Sequence, residues 1–126
     1  MKVGKAQTEK LVSTIAEGIF KKKGKRVVSL DLSIIENSIC KYFVICHGES
    51  TTQVSAIGES VIEVVRNELS EKPIHKEGFQ NANWVLLDYG DVIVHIFLES
   101  YRELYRLEDL WADAKVETIS EVIVND

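Results

Sequence analysis

Two groups of residues in this sequence could take part in chemistry, and the first is the segment "HGES" at 47–50. It stands between a run typical of a strand and a run typical of a helix. Free backbone N–H groups and the helix dipole at such a junction favour anions, so the segment could bind the phosphates of a nucleotide. The same residues also have a purely structural use, because Gly48 can relieve a turn and Ser50 can cap a helix.

The second group is the acidic pair Asp88 and Asp91. Enzymes of the nucleotidyltransferase type combine a Gly-Ser loop with two closely spaced acids on a neighbouring strand, which hold magnesium. Asp88 and Asp91 stand three positions apart across a turn, so they would not lie side by side on one strand face as metal ligands need. A nucleotide-binding enzyme of this type is therefore an alternative rather than our leading hypothesis.

The histidines and cysteines do not indicate a metal centre. His47, His75 and His95 are scattered and are not spaced as zinc ligands with Cys40 and Cys46, so we predict neither a metal nor a cofactor. On one strand the two cysteines would be about 20 Å apart, too far for a disulfide, which predicts reduced thiols. Cys46 and His47 would point to opposite faces of that strand, and His95 fits a hydrogen-bonded, partly buried histidine.

The elements that must position these residues follow from the hydrophobic spacing. A helix is predicted over 5–23, with one apolar side formed by Leu11, Val12, Ile15, Ala16, Ile19 and Phe20. Strands follow near 27–33 and over 41–47. A second amphipathic helix begins with Ser50 and Gln53 as a capping box and ends near Ser70, before Pro73.

The segment "NWVLLDYGDVIVHIF" at 83–97 gives the clearest hairpin. Its strands run over 84–88 and 91–98, and Gly90 can take the positive φ that a tight turn requires. Alternation puts Trp84, Leu86 and Asp88 on one face, and Val85, Leu87 and Tyr89 on the other. Because neither face is cleanly polar, we expect both to be covered, or one to be kept for a partner.

The segments around this hairpin are less clearly defined. "IHKEG" predicts a short strand, and "YRELYRLEDLW" predicts a helix with Leu104, Leu107 and Trp111 on one side. The residues from Ala112 to Asp126 alternate but have no anchor that we identify, so we expect this tail to be partly mobile. We accordingly predict one domain over 1–113 and a C-terminal extension over 114–126.

Length, composition and element order define the fold class. The chain has 126 residues, of which 45% are hydrophobic and 28% charged, as in a soluble globular domain. No run reaches the roughly 18 apolar residues of a membrane span, so we expect a cytoplasmic protein and no membrane partner. A helix between the strand at 41–47 and later strands requires a crossover. The prediction is an α/β fold with a mixed β-sheet and helices packed on it.

The net charge of −5 hides an asymmetry along the chain. Residues 1–26 carry eight Lys/Arg and two Asp/Glu, residues 27–98 carry four and ten, and residues 99–126 carry three and eight. The acidic body suits a protein that docks on a basic protein rather than one that grips nucleic acid over its whole surface. The basic start, with "KKKGKR", could still approach a phosphate-rich neighbour.

Three blocks of this sequence, in their order and spacing, resemble the ribosomal silencing factor family, which is also called RsfS or Iojap. The blocks are "YFVICHGESTTQVSAI" at 42–57, "NWVLLDYGDVIVHIF" at 83–97 and "RELYRLEDLW" at 102–111. The resemblance runs from about residue 5 to residue 113. It departs at Lys41, where the family often has an aspartate, and at Ser55, where a basic residue is common.

The resemblance implies a fold related to that of nucleotidyltransferases but without their catalytic acids, and no enzymatic activity. It further implies that the chain binds ribosomal protein fourteen of the large subunit and sterically blocks joining of the large and small ribosomal subunits, which represses translation. The implied docking surface is a sheet edge and turn with seven residues, namely Trp84, Leu87, Asp88, Tyr89, Asp91, Tyr101 and Arg102.

Other functions stay open beside this leading hypothesis. An assembly factor for the large ribosomal subunit would use the same docking, and a nucleotide-binding enzyme would use "HGES". The basic N-terminal region could add a minor contact with ribosomal RNA. A homodimer that opens before binding could use the apolar strands near the sheet edge.

Overall fold

The computed structural model describes residues 5–35, 40–110 and 114–121. The elements in chain order are α1 (Lys5–Lys21), β1 (Lys25–Asp31), β2 (Tyr42–Gly48), α2 (Thr51–Leu69), β3 (His75–Glu77), β4 (Trp84–Asp88), β5 (Val92–Leu98), α3 (Glu99–Tyr105), α4 (Leu107–Leu110) and β6 (Lys115–Thr118). Within these ranges, no helix has the length and apolar character needed to cross a membrane.

The six strands form one mixed sheet in the order β3-β4-β5-β2-β1-β6. Neighbouring strands are antiparallel except β2 and β5, which run parallel from Tyr42 opposite Val92 to Gly48 opposite Leu98. The parallel pair requires a crossover, and the connection contains α2. The predicted α/β mixed sheet is confirmed. The expected sheet edge at the hairpin is wrong, however, because β3 pairs with the outer side of β4 and the edge strands are β3 and β6.

Helices α1 and α2 cover one face of this sheet. Their apolar sides share a core with β2, β4 and β5, which includes Leu11, Ile15, Ile19, Val44, Cys46, Val54, Ile57, Val61, Val65, Val85, Leu87, Val94 and Ile96. The two helices approach closely at Gly18, where a Cβ atom would lie 2.8 Å from the Cα of Val61. At the same point the Ser60 hydroxyl donates to the Gly18 carbonyl at 2.7 Å in a buried contact.

Replacing Ser60 by Ala is expected to lower the free energy of unfolding by about 1–2 kcal/mol, because a buried hydrogen bond between the helices is lost. Urea unfolding followed by circular dichroism measures this change. Ser13→Ala is the control, since the Ser13 hydroxyl makes an exposed bond to the Lys10 carbonyl at 3.0 Å. That variant should change the free energy by less than about 0.5 kcal/mol. Equal losses in the two variants would mean that the Ser60 hydrogen bond between α1 and α2 does not stabilise the fold.

The start of α2 agrees with the predicted capping box in most respects. Ser50 is the N-cap residue, and its Oγ accepts from the Gln53 N–H at 3.1 Å. The Gln53 Oε1 accepts from the N–H of Glu49 at 2.7 Å, one residue before the N-cap. The helix ends at Leu69, where Ser70 takes a left-handed φ of 56°.

Helix α1 ends at Lys21, two residues before the predicted end. Lys23 takes the left-handed φ of 60° after the helix, and the Gly24 N–H bonds to the Ile19 carbonyl at 3.1 Å. A Cβ atom on Gly24 would collide with the Ile19 side chain. Glycine at position 24 therefore avoids a clash with Ile19, and the left-handed backbone at Lys23 stops the helix from continuing.

The C-terminal part differs most from the prediction. Two helices replace the single one, because Arg106 takes a left-handed φ of 48° between α3 and α4. Leu107 is buried but Leu104 is 71% exposed, so they do not share a buried side. Trp111 lies outside the described residues.

The segment without a predicted anchor contains strand β6. This strand pairs antiparallel with β1, from Val28 opposite Thr118 to Asp31 opposite Lys115. All four of its residues are exposed. The alternation of this segment marks no buried face, because backbone pairing with β1 rather than side-chain burial holds the strand.

Candidate partner-binding surface

The face of the sheet away from α1 and α2 carries the residues favoured by the sequence. Along β4, Trp84, Leu86 and Asp88 are half-buried, whereas Val85 and Leu87 are buried. Trp84 and Leu86 pack in a second core on this face, while Val85 and Leu87 pack beneath the helices. The predicted alternation is thus confirmed. We call Trp84, Leu86 and Asp88 the β4 strip, which is about 13 Å long.

The neighbouring strands border this strip with different chemistry. On the outer side, His75 stands opposite Asp88 and Glu77 opposite Leu86, and all of β3 is exposed. His75 Nε2 lies 3.2 Å from Glu77 Oε1. On the inner side the opposing residues are Ile93, His95 and Phe97, which are buried. The strip therefore lies between a polar edge and an apolar centre.

Aromatic rings surround Trp84 at one end of the β4 strip. The Trp84 ring centre lies 4.8 Å from that of Phe97 and 5.0 Å from that of Tyr105, which is 48% exposed. Tyr101 lies 6.1 Å from Tyr105 between ring centres. The Trp84 Nε1–H donates to His95 Nδ1 at 3.1 Å. A rigid aromatic side chain that is packed on one side and open on the other is typical of anchors in protein interfaces.

The Trp84 bond determines the state of His95. Because an indole N–H can only donate, His95 Nδ1 must accept, and the neutral ring carries its proton on Nε2. Burial lowers the pKa of His95 to about 4. The prediction of a hydrogen-bonded histidine is confirmed, and the residue is buried rather than partly buried, with 5% exposure.

Acidification from pH 6.5 toward pH 4 is expected to destabilise the fold through His95. The unfolded chain binds the proton near pH 6.5, whereas folded His95 binds it only near pH 4, so the unfolded state holds more protons in this window. Urea unfolding at pH 7 and pH 5 measures the loss. In His95→Gln, which keeps an acceptor for Trp84, the loss should be smaller. Burial also lowers the pKa of His47, but this contribution is present in both proteins. An identical loss in His95→Gln would therefore contradict the assignment to His95.

The turn at the other end of the strip places two carboxylates close to the surface. Asp88 Oδ1 accepts from the Gly90 N–H at 2.7 Å, and Gly90 has the predicted positive φ, at 90°. Asp91 Oδ2 lies 3.8 Å from Lys41 Nζ, and the Asp91 side chain is 31% exposed. The turn thus engages Asp88 through Oδ1.

The structure divides the seven expected contact residues into two groups. Trp84, Asp88 and Tyr101 are half-buried at or near this face, and Asp91 is half-buried in the turn after β4. Leu87, Tyr89 and Arg102 are only 0%, 7% and 2% exposed, so they lie beneath the surface. Leu86 and Tyr105 also lie at this face, although the expected contact set does not include them. The two-residue period of a strand, counted from Trp84, indicates Leu86. One helical turn after Tyr101 indicates Tyr105.

Buried Arg102 connects four elements rather than facing a partner. Its Nη1 donates to the Arg26 carbonyl at 2.7 Å and lies 3.1 Å from His47 Nδ1. Its Nε lies 3.6 Å from Glu108 Oε2. Arg26 has a left-handed φ of 47° where the register of β1 shifts. Arg102 thereby joins α3 and α4 to β1 and β2.

The "HGES" segment uses its polar groups within the fold. The backbone N–H of Glu49 donates to Gln53 Oε1. The backbone N–H of Gln53 donates to Ser50 Oγ, as described above for the helix start. The Gln53 Nε2 donates to the carbonyls of Lys22 and Lys23, both at 3.1 Å. These bonds favour the structural use of the segment, which joins α2 to the end of α1.

The two groups of candidate catalytic residues lie at opposite ends of the sheet. Since β2 and β5 are parallel, Gly48 stands beside Leu98 while Asp91 precedes Val92 at the other end. Six residues of strand separate these ends by about 20 Å. The acids and the loop therefore do not assemble a common site for nucleotide and magnesium.

The remaining reactive side chains are buried. Cys40 and Cys46 are reduced cysteines rather than a disulfide, as predicted, and both are buried. Burial raises the pKa of Cys40 to about 11 and that of Cys46 to about 12, so neither forms a thiolate near neutral pH. Among the described residues, no three His, Cys, Asp or Glu side chains are grouped to hold a metal ion.

An α/β domain with a half-exposed aromatic and acidic strip has the features of a protein that binds another protein. The family model for the ribosomal silencing factor during starvation, RsfS, matches residues 5–125. The chain belongs to this family, as the resemblance of its three blocks indicates.

Relatives and a solved structure agree with this membership. The ribosomal silencing factor RsfS of Halalkalibacterium halodurans is 37% identical over 115 residues, which cover 91% of this chain and 97% of that protein. A crystal structure of a protein from Chromobacterium violaceum superposes with a TM-score of 0.77 at 32% identity, covering 82% of this chain and 85% of the other. A mouse protein named for mitochondrial assembly of the ribosomal large subunit is 32% identical over 72 residues, which cover 56% of this chain and 32% of that protein.

Proposed function

We propose that this chain binds the large ribosomal subunit through ribosomal protein fourteen and blocks its joining with the small subunit, which represses translation. The observation that carries the proposal is the family match over residues 5–125. The name of the Halalkalibacterium halodurans relative, a ribosomal silencing factor, supports the same function. The proposal includes no enzymatic step.

The proposed contact surface consists of the β4 strip, Asp91 at the turn, and Tyr101 and Tyr105 on α3. Trp84 and the two tyrosines would supply apolar contact area, and the carboxylates would pair with Lys or Arg of a basic ribosomal protein. The buried residues Leu87, Tyr89 and Arg102 would support this surface from beneath. This chemistry agrees with the acidic balance of the chain after residue 26.

Repression would be steric in this proposal. A folded chain of this length has a radius of gyration of about 14 Å. A body of that size on the subunit-facing side of the large subunit would overlap the incoming small subunit. Binding alone would then suffice, and its strength would set the degree of repression.

Co-sedimentation with purified ribosomal subunits tests the proposal. We expect the chain to sediment with large subunits and not with small ones, and to reduce formation of the joined ribosome when both subunits are mixed. Binding should persist at physiological salt, where exposed ion pairs are screened, because the aromatic contacts do not depend on charge. Absence of binding to large subunits, or binding without any effect on joining, would contradict the proposal.

A role in assembly of the large subunit is a second candidate, favoured by the name of the mouse relative. Depletion of the protein from cells separates the two functions. An assembly factor would leave incomplete large subunits when it is depleted. Depletion of a silencing factor would leave complete large subunits. During nutrient limitation, more of them would be joined to small subunits than in cells that contain the protein.

We also propose a minor contact of the basic N-terminal region with ribosomal RNA. Lys21, Lys22 and Lys23 are exposed at the end of α1, and Lys25 is exposed at the start of β1. Neutralising Lys22 and Lys23 with Gln should reduce the salt dependence of large-subunit binding, because fewer counterions are released. An unchanged salt dependence would contradict this contact.

A further inference from the structure

His95 is a buried histidine in an aromatic cluster, on the face of the sheet that carries the β4 strip. It lies on β5 opposite Leu86 and is only 5% exposed. The Phe43 ring meets it edge-on with 4.6 Å between ring centres, and the Phe97 ring centre lies 6.3 Å away. Trp84, its diagonal neighbour on β4, donates its Nε1–H to His95 Nδ1 at 3.1 Å. A polar ring therefore stands among apolar ones and is bonded to the candidate anchor of the contact surface.

The stability of the fold does not account for a histidine at this position. Since Nδ1 accepts from Trp84, the proton of the neutral ring is on Nε2, and Nε2 is buried with no hydrogen-bond partner among the described residues. A buried N–H without a partner lowers stability, and an apolar side chain of similar size would avoid this loss. What distinguishes histidine from an apolar residue here is the acceptor that it offers to Trp84.

The bond from Trp84 fixes the orientation of a ring that packing alone leaves adjustable. The Phe97 and Tyr105 rings are tilted by 32° and 45° to the indole, and dispersion contacts of this kind have a weak directional preference. The indole N–H, in contrast, is a single donor with a preferred direction. With this N–H directed at the buried His95, the indole is held at one rotation about its Cβ–Cγ bond.

The same bond changes what a partner must provide in order to cover Trp84. An indole N–H that is removed from water without an acceptor loses free energy. Here the acceptor belongs to the protein itself, so the N–H is satisfied before a partner arrives. A partner can then cover the half-buried ring with apolar atoms and needs no acceptor at that point.

We propose that His95 is a positioning residue for partner binding, which holds the Trp84 indole in the orientation that the partner meets and satisfies its N–H. The inference rests on the proposed function and deepens it, because it specifies an apolar contact at Trp84 on the ribosomal partner. A ring that is already ordered loses less freedom on binding, so the bond increases affinity although His95 does not touch the partner.

A matched pair of variants, His95→Leu and His95→Asn, tests the proposal. Leucine and asparagine have the same branched outline, but only asparagine has an acceptor, and its Oδ1 is as many bonds from the backbone as the histidine Nδ1. Affinity for purified large subunits, measured by co-sedimentation, should fall about fivefold in His95→Leu, as for one side chain that must be ordered on binding. In His95→Asn, affinity should return to within about twofold of the wild-type value, because the indole is again held.

Stability should rank the same two variants in the opposite order. Leucine suits the apolar cluster, whereas asparagine buries a polar amide, so the urea midpoint of His95→Leu should be the higher of the two. A residue that acted only through the fold would give one order for both measurements. Ser60→Ala is the control, since it removes a hydrogen bond between α1 and α2 on the other face of the sheet. It should lower the midpoint and leave affinity unchanged.

The indole N–H reports on the bond directly. The chain has two tryptophans, so a heteronuclear NMR spectrum has two indole N–H signals, and Trp111→Phe identifies that of Trp84. This N–H should exchange slowly with water in the wild type and in His95→Asn, and faster in His95→Leu, which has no acceptor. Equal exchange in the wild type and in His95→Leu would show that the bond does not hold the ring, which would overturn the proposal.

The outcomes separate this inference from the proposed function. If wild-type protein binds large subunits and His95→Leu binds equally well, His95 is a structural residue only and the proposed function stands. The same conclusion follows if affinity ranks the two variants in the order of their urea midpoints. If wild-type protein does not bind large subunits, both proposals are wrong.

Discussion

Replacing Asp88 by Asn is expected to weaken binding of this chain to large ribosomal subunits about tenfold, equivalent to about 1.4 kcal/mol. The variant keeps an oxygen that accepts from the Gly90 N–H, which is bonded at 2.7 Å in the folded protein. The turn is therefore preserved while the charge is removed. A hydrogen bond between a carboxylate and a basic side chain is stronger than its neutral counterpart by about this amount.

Co-sedimentation at a fixed salt concentration measures this loss. Glu63→Gln is the matched control, because it removes one charge from an exposed position on α2, far from the β4 strip. It should change affinity less than twofold, as expected for an exposed charge outside the contact. Equal effects of the two variants would mean that net charge rather than the turn determines binding.

Replacing Arg102 by Met is expected to lower the free energy of unfolding by about 2–3 kcal/mol, since it leaves the half-buried Glu108 carboxylate and the Arg26 carbonyl without their partner. Methionine fills much of the volume of the arginine stem but offers no donor. The Arg26 carbonyl loses its bond of 2.7 Å, and Glu108 loses the guanidinium 3.6 Å away. Chemical denaturation at pH 7 gives the free energy directly.

Arg106→Met is the control for this variant. Arg106 lies in the same helical region but is exposed, and it pairs with Asp109 at 2.8 Å over three residues. Exposed pairs of this kind contribute little, so its loss should cost less than about 0.5 kcal/mol. A similar loss in both variants would mean that Arg102 does not stabilise the fold by joining α3 and α4 to β1 and β2. A loss of subunit binding without loss of stability in Arg102→Met would instead place Arg102 in the contact itself.

Local patterns predicted most of the sheet and the two long helices. The strip of Trp84, Leu86 and Asp88 follows from period two, and Gly90 marks the turn because its φ is positive. Helix α2 follows from its apolar spacing and from Ser50 as the cap. These features depend on residues that are close in sequence, which is why their residue types report on the structure.

Features that depend on distant residues were not predictable in the same way. Arginine is most often a surface residue. The burial of Arg102 depends on the carbonyl of Arg26, 76 positions earlier in the chain, where the pairing register of β1 shifts. The expected docking set also combined residues from two faces, because Leu87 and Tyr89 alternate with Asp88 along the chain. The alternation itself separated these faces, and the structure shows which of them the helices cover.

Strand β6 has a consequence for how the domain forms during synthesis. Val28 of β1 pairs with Thr118, which is 90 positions later in the sequence. Such distant pairing is slow, because the entropy of closing a long loop must be overcome before the contacts form. Until residue 118 has been made, the outer backbone groups of β1 are an open edge, which is a template for association with other chains. A ribosome that stalls while it translates β6 would therefore hold a nascent chain in which β1 is still an open edge and prone to aggregate.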